Sequence, residues 1–122
     1  MVSTQEIFDR VASHLWTQNE RSIDPETGGF RYQTRLPDGR ILKDPIGALI
    51  TDYSEDLEFL SEIEMVRHYS DFVHLTEEQR QLILALQAVH HDYRCWEDKD
   101  ELRSYLMMIA SSQGLSVRVL TA

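Results

Sequence analysis

The chain has 122 residues, 42% hydrophobic and 27% charged, with 21 Asp and Glu against 12 Lys and Arg for a formal net charge of −9. That length fits one globular domain over residues 1–122, and the composition excludes wholesale disorder and collagen-like or low-complexity chains. The acid excess argues against general nucleic-acid binding and against docking on an anionic membrane, because both recruit proteins through Lys and Arg.

A single cysteine, Cys95, excludes an intrachain disulfide and an all-cysteine metal cluster. The start at Met1-Val2-Ser3-Thr4 shows neither a basic n-region nor an apolar h-region, and no apolar run approaches the length of a membrane span. The expectation is a reducing cytoplasm.

Ser3 and Glu6 have capping-box spacing, and Ile7, Phe8, Val11, Ala12, Leu15 and Trp16 follow on one helical face, which predicts a helix over 4–18. Asp24-Pro25-Glu26-Thr27-Gly28-Gly29 reads as a loop. A hairpin follows, with Phe30, Tyr32, Thr34 and Leu36 alternating against Arg31, Gln33 and Arg35, and a return through Arg40-Ile41-Leu42-Lys43. Leu36-Pro37-Asp38-Gly39 suits a type I turn closed by a glycine bulge. Two strands are marginal alone, and Val117-Arg118-Val119-Leu120 is the candidate third.

Asp44-Pro45 reads as an N-cap with proline at the first helical position, opening a short turn through Ile50. Between positions 52 and 64 stand Asp52, Glu55, Asp56, Glu58, Glu62 and Glu64 with no Lys or Arg, interleaved with Tyr53, Leu57, Phe59, Leu60 and Ile63. This stretch reads as loop and a short helix running into Met65, Val66 and Tyr69. Thr76 and Gln79 repeat the capping-box spacing before a helix whose Leu82, Leu86, Val89 and Tyr93 share one side while Leu84 and Ala88 lie opposite, the pattern of a central helix. Asp98 and Glu101 open the last helix, with Leu102, Tyr105, Leu106, Ile109 and Ala110 on a face and Gly114 placed to end it. The expected fold is α+β and mainly helical, with four to five helices and a small β-hairpin.

Five histidines, at 14, 68, 74, 90 and 91, invite metal or acid–base chemistry, but none forms a His-Glu-x-x-His array. His90 and His91 diverge by about 100° on a helix, so they are expected to face different surroundings, His90 beside the core. His91 and Cys95 are one helical turn apart if the helix persists, the seed of a Cys/His nucleophile beside Asp92. His68, Asp71 and His74 form a second, weaker metal pattern. Gly28, Gly29 and Gly39 match no phosphate-binding motif. No catalytic residue, metal ligand or cofactor is assigned. Arg31, Arg35 and Arg40 make the hairpin a basic island that could pair with the acidic strip or meet an anionic ligand.

Tyr32-Gln33-Thr34-Arg35-Leu36-Pro37-Asp38-Gly39 followed by Ile46-Gly47-Ala48-Leu49-Ile50-Thr51-Asp52-Tyr53, with a first helix like Gln5–Ala12, a segment like Leu86-Gln87-Ala88-Val89-His90 and a later Trp96, resembles a family of small uncharacterised proteins of bacteria and their phages. The resemblance implies a shared fold and carries no activity. In that family's pattern cysteines often stand where this chain has Asp44 and Ala48, so a thiol or metal role for that segment is not carried over.

The leading expectation is a non-enzymatic acidic interaction module, of the kind found in phage-type inhibitors or accessory proteins, binding a protein partner with a basic surface through Asp52, Tyr53, Glu55, Asp56, Glu58, Phe59 and Glu62. One alternative is a small metal-dependent or Cys/His enzyme using His91, Asp92 and Cys95. The other is a homodimeric structural protein meeting its copy through Met107, Met108 and the C-terminal strand.

Overall fold

The computed structural model describes residues 2–120. Helix α1 (Thr4–Gln18) starts where Ser3 Oγ accepts the Glu6 amide at 3.1 Å, satisfying a donor that the helix itself leaves unpaired. The return bond from the Glu6 side chain is not formed among the described residues. Ile7, Phe8, Val11, Ala12 and Leu15 are buried, the stripe that the spacing predicts.

Strands β1 (Gln33–Arg35) and β2 (Ile41–Lys43) pair antiparallel with Thr34 opposite Leu42. The Gly39 amide returns to the Leu36 carbonyl at 2.9 Å, and Leu36 donates to Arg40 at 2.8 Å, with Gly39 at φ +92°, which is the turn and glycine bulge that the sequence predicts. The first strand is shorter than its alternation suggests. Phe30 makes an isolated bridge with Ile23, because the Asp24–Gly29 loop closes on itself through an Asp24 amide to Gly29 carbonyl bond of 2.8 Å.

Asp44 caps α2 (Pro45–Leu49), accepting the Gly47 amide at 2.7 Å. The acidic stretch forms a 3-10 turn, Glu55–Phe59, and then α3 (Glu62–His68), which opens with a reciprocal Ser61–Glu64 capping box. Helix α4 (Glu77–His91) opens with the Thr76–Gln79 box and packs against α1, α2, α3 and α5, so it is central as its two-sided pattern implies. Its second apolar side is shallow, with Leu84 half-buried and Ala88 exposed. Helix α5 (Lys99–Ser112) is capped by Asp98 and closed by a Leu115 amide to Ala110 carbonyl bond of 2.8 Å, with Gly114 at φ +67°.

Among the described residues, five α-helices and one two-stranded hairpin make this a mainly helical α+β fold. None of its helices is long and apolar enough to cross a membrane, among the described residues. Two expectations are corrected. Val117–Leu120 adds no third strand: Arg118–Leu120 is a 3-10 turn against α1 with Leu120 fully buried, so apolar burial overrides the β-propensity of Val117 and Val119. The hairpin is instead supported by α1, where Lys43 exchanges bonds with Gln18 (2.9 Å each way) and its carbonyl also accepts His14 Nε2–H at 2.9 Å. And α4 ends at His91, so Tyr93 is not part of its buried stripe but sits 64% exposed on the turn Tyr93–Trp96.

Gly47 marks the closest approach between the hairpin and α2. A Cβ placed there would lie 1.8 Å from the Tyr32 carbonyl oxygen, an approach that backbone atoms cannot relieve by a rotamer change. Gly47→Ala is expected to destabilise the protein by about 3 kcal/mol or more, measured by urea denaturation, whereas Gly29→Ala in the exposed loop should cost under about 1 kcal/mol.

Candidate functional site

Where β1 enters from the loop, the first turn of α3 and the end of α4 meet around a cleft of about 330 Å³, lined by Phe30, Arg31, Tyr32, Asp44, Glu58, Leu60, Ser61, Glu62 and His91. Gln87, on the buried face of α4, organises it. Its carbonyl oxygen accepts the Ile46 amide at 3.0 Å, which fixes the amide's orientation, and its NH2 group donates to both Asp44 Oδ2, at 3.0 Å, and Glu62 Oε2. One amide therefore holds two carboxylates.

The two carboxylates have opposite environments. Asp44 is 1% exposed, and burial pushes its carboxyl up to about 7, against hydrogen bonds from Gly47 and Gln87 that favour ionisation. Glu62 is half-buried, and the bond from His91, reinforced by that from Gln87, holds its carboxyl below the ordinary carboxylate range.

The histidines form a directed chain. The Ser22 backbone amide donates to His90 Nε2 at 2.8 Å, so that nitrogen carries no proton. Burial pushes the His90 imidazole down to about 3, so it is neutral and its proton sits on Nδ1. His90 Nδ1–H then donates to His91 Nδ1 at 2.9 Å, which places the His91 proton on Nε2, facing Glu62 Oε2 at 3.0 Å. Phe30 stacks on the His91 ring with centroids 4.0 Å apart, and Trp96 meets His90 edge-on at 6.1 Å. This corrects the expectation that the two histidines face apart. The 100° divergence fixes their Cβ directions, but Nδ1 lies next to Cβ in each ring, and the rings turn those edges together.

The seven acidic-strip candidates divide. Asp52, Glu55, Asp56 and Phe59 are exposed; Tyr53, Glu58 and Glu62 are half-buried. Glu58 is tied inward by the Tyr32 and Gln33 amides at 3.0 and 3.2 Å and by the Tyr53 hydroxyl at 2.5 Å. Glu55 pairs with Arg31 at 2.5 Å, so the hairpin and the strip do neutralise each other at that point. Arg40 instead pairs with Glu20 and Asp38. Phe59 stands 87% exposed, with Ile63 59% exposed beyond it.

The His91, Asp92 and Cys95 set is not assembled. Once α4 has ended, Cys95 turns into the core, where burial pushes its thiol up to about 11, and both Asp92 carboxylate oxygens hold Arg94. Among the described residues no three His, Cys, Asp or Glu side chains are placed to hold a metal ion, so His68, Asp71 and His74 do not converge. His74 and Asp71 line a separate cleft of about 340 Å³ with Arg10 and apolar walls, but there Asp71 binds the Thr51 amide. Met107 and Met108 are exposed on α5.

Sequence reading missed Asp44, treated only as a cap, together with Gln87 and Tyr32. A signal existed: Gln87 and His90 occupy the helical stripe of Ile83, and Gln87 and His91 are one turn apart, both reaching Glu62. Comparison of the chain with family models, with curated proteins and with solved structures finds no match.

The tautomers are directly measurable: imidazole 15N shifts at neutral pH should show His90 protonated at Nδ1 and His91 at Nε2, and a His91 proton on Nδ1 would contradict the chain. Stability should depend on pH in two opposed windows. Asp44's folded value is raised, so its contribution is full below its unfolded value of 3.8 and is lost as pH rises through about 7. His90's is lowered, so its contribution is full above 6.5 and is lost as pH falls through about 3. The two offset each other between about 4 and 6.5. Asp44→Asn should remove the upper window, and it sets two amide donors face to face at Gln87, costing about 1–3 kcal/mol in a urea titration.

Proposed function

We propose that this protein is a non-enzymatic interaction module that engages a protein partner with a basic surface, through a face centred on Phe59 and edged by Asp52, Glu55 and Asp56. The observation that carries this reading is the posture of Phe59. In the turn Glu55–Phe59, Leu57 is buried while Phe59, two residues on, is 87% exposed. The turn beneath it is not loose, because Glu58 anchors it to the hairpin through the Tyr32 and Gln33 amides and accepts the Tyr53 hydroxyl as well.

An aromatic ring displayed on a fixed mount loses little entropy when a partner covers it, and aromatic anchors dominate binding energy at protein interfaces. The surrounding acids and the net charge of −9 add long-range attraction toward a basic surface and speed encounter. The inward commitment of Glu58 and Glu62 narrows the contact from the whole strip to this face. Those two residues support it rather than touch the partner first.

The test is affinity capture from the native host with wild-type bait, Phe59→Ser and Asp56→Lys. Phe59→Ser is expected to lower recovery of the captured partner by roughly tenfold or more, as for a hot-spot residue, while leaving thermal stability within about 0.5 kcal/mol because the side chain is exposed. Asp56→Lys should weaken recovery less, with the deficit shrinking at high salt. Equal recovery by all three baits would remove this face from consideration.

A further inference from the structure

We infer that the surface where α5 starts beside Trp16 is a receptor for a single phosphate group, carried by a small phosphate monoester and held by Lys99, Arg103 and the Trp16 indole N–H. The site shares no residue with the Phe59 face and does not depend on that reading.

Lys99 opens α5 and Arg103 follows one turn later, so both long side chains leave the helix on one side. Both close on the same ring of α1. The Lys99 Nζ lies 4.2 Å from the Trp16 ring centroid, and the Arg103 guanidinium carbon lies 5.0 Å from it. An aromatic ring attracts a cation, but two cations gathered on one ring repel each other. The start of a helix is also its positive end, so the dipole of α5 adds to that repulsion rather than relieving it.

No acid answers them. The chain carries 21 Asp and Glu against 12 Lys and Arg, yet no salt bridge reaches Lys99 or Arg103 among the described residues. Asp98 Oδ1 is spent on the Glu101 amide, and Asp100 and Glu101 in the first turn form no ion pair with either cation. The Arg103 Nε–H is buried with no acceptor, the only buried side-chain polar atom in that state among the described residues. The Trp16 ring holds the guanidinium but supplies no lone pair to that proton. A buried donor without a partner is rare in folded proteins and points to a group that completes it. The Trp16 indole N–H also has no acceptor among the described residues and is open to solvent, whereas Trp96 gives its indole proton to the Val89 carbonyl at 3.2 Å.

Three donor groups with no acceptor between them call for an oxyanion. Two cations match the charge of a phosphate monoester, about −1.5 to −2 near neutral pH, better than the single charge of a carboxylate. Such a group would also relieve the repulsion between Lys99 and Arg103 and give the indole proton an acceptor. The net charge of −9 repels polyphosphates and nucleic-acid backbones, which confines the site to one phosphate on a small molecule.

The experiment is a side-chain 15N NMR titration of the full chain with methyl phosphate, and separately with acetate, in a chloride background of matched ionic strength. Saturable shifts are expected at the Trp16 indole N–H and the Arg103 Nε–H with methyl phosphate. The Trp96 indole N–H, already bonded within the fold, should stay still and serves as the internal control. Acetate should bind about fivefold or more weaker. Lys99→Gln, at an exposed position, should leave the spectrum otherwise folded and weaken methyl phosphate binding about fivefold or more. Silence at Trp16 and Arg103 overturns the proposal, as does an equal response to acetate, an equal shift at Trp96, or unchanged affinity in Lys99→Gln.

Discussion

Gln87 stands on the buried face of the central helix with every polar bond it can make in this setting taken up, and the arrangement around the cleft depends on that saturation. Its carbonyl is pinned by the first turn of α2, so its two N–H groups can point nowhere but at Asp44 and Glu62. Asp44 in turn caps α2, whose Gly47 lies against the backbone of Tyr32. One side chain thus joins α4, α2 and α3, and through Gly47 sets the distance of the hairpin. A polar residue inside a core costs free energy unless all its partners are in place, and that requirement is what makes the joint specific.

Elements governed by local chemistry were legible in the sequence. The caps at Ser3, Thr76 and Asp98, the Gly39 bulge and the helix-ending Gly114 each act within a few residues, so spacing alone identifies them. The C-terminal segment was misread for the complementary reason. Val117, Val119 and Leu120 suit a strand locally, but the free edge of a three-residue ladder offers less than the apolar groove that takes Leu120. The cleft was legible only in fragments, because it joins residues from positions 30 to 91 that no single period connects. What the sequence did display was the anomaly itself: glutamine and histidine on a stripe that should be apolar.

Charge shows the same division. The acid excess reads from composition as an outward property, yet the residues that define the cleft turn that excess inward. Glu58 replaces part of the ladder by accepting two amides that the short β1 strand leaves unpaired, so this carboxylate does the work of a neighbouring strand. Glu55 neutralises Arg31 at the surface, where a pair of this kind contributes little to stability but fixes where the guanidinium lies. Asp52, Asp56, the exposed flank of Glu55 and, further along, Glu64 then remain to shape the strip's external field.

The polarity of the histidine chain decides which proton meets Glu62. A protonated His91 would pair Glu62 with a full charge, but it would also bring a second N–H against His90 Nδ1–H. Relieving that conflict would require His90 to move its proton to Nε2, where the Ser22 amide already donates. A backbone N–H cannot change its role as a hydrogen-bond donor, so the conflict passes along the chain and ends at the peptide backbone. The tautomer of the pair is therefore set by a main-chain group remote in sequence from Glu62, and the proton that faces Glu62 follows from the fold rather than from the histidines alone.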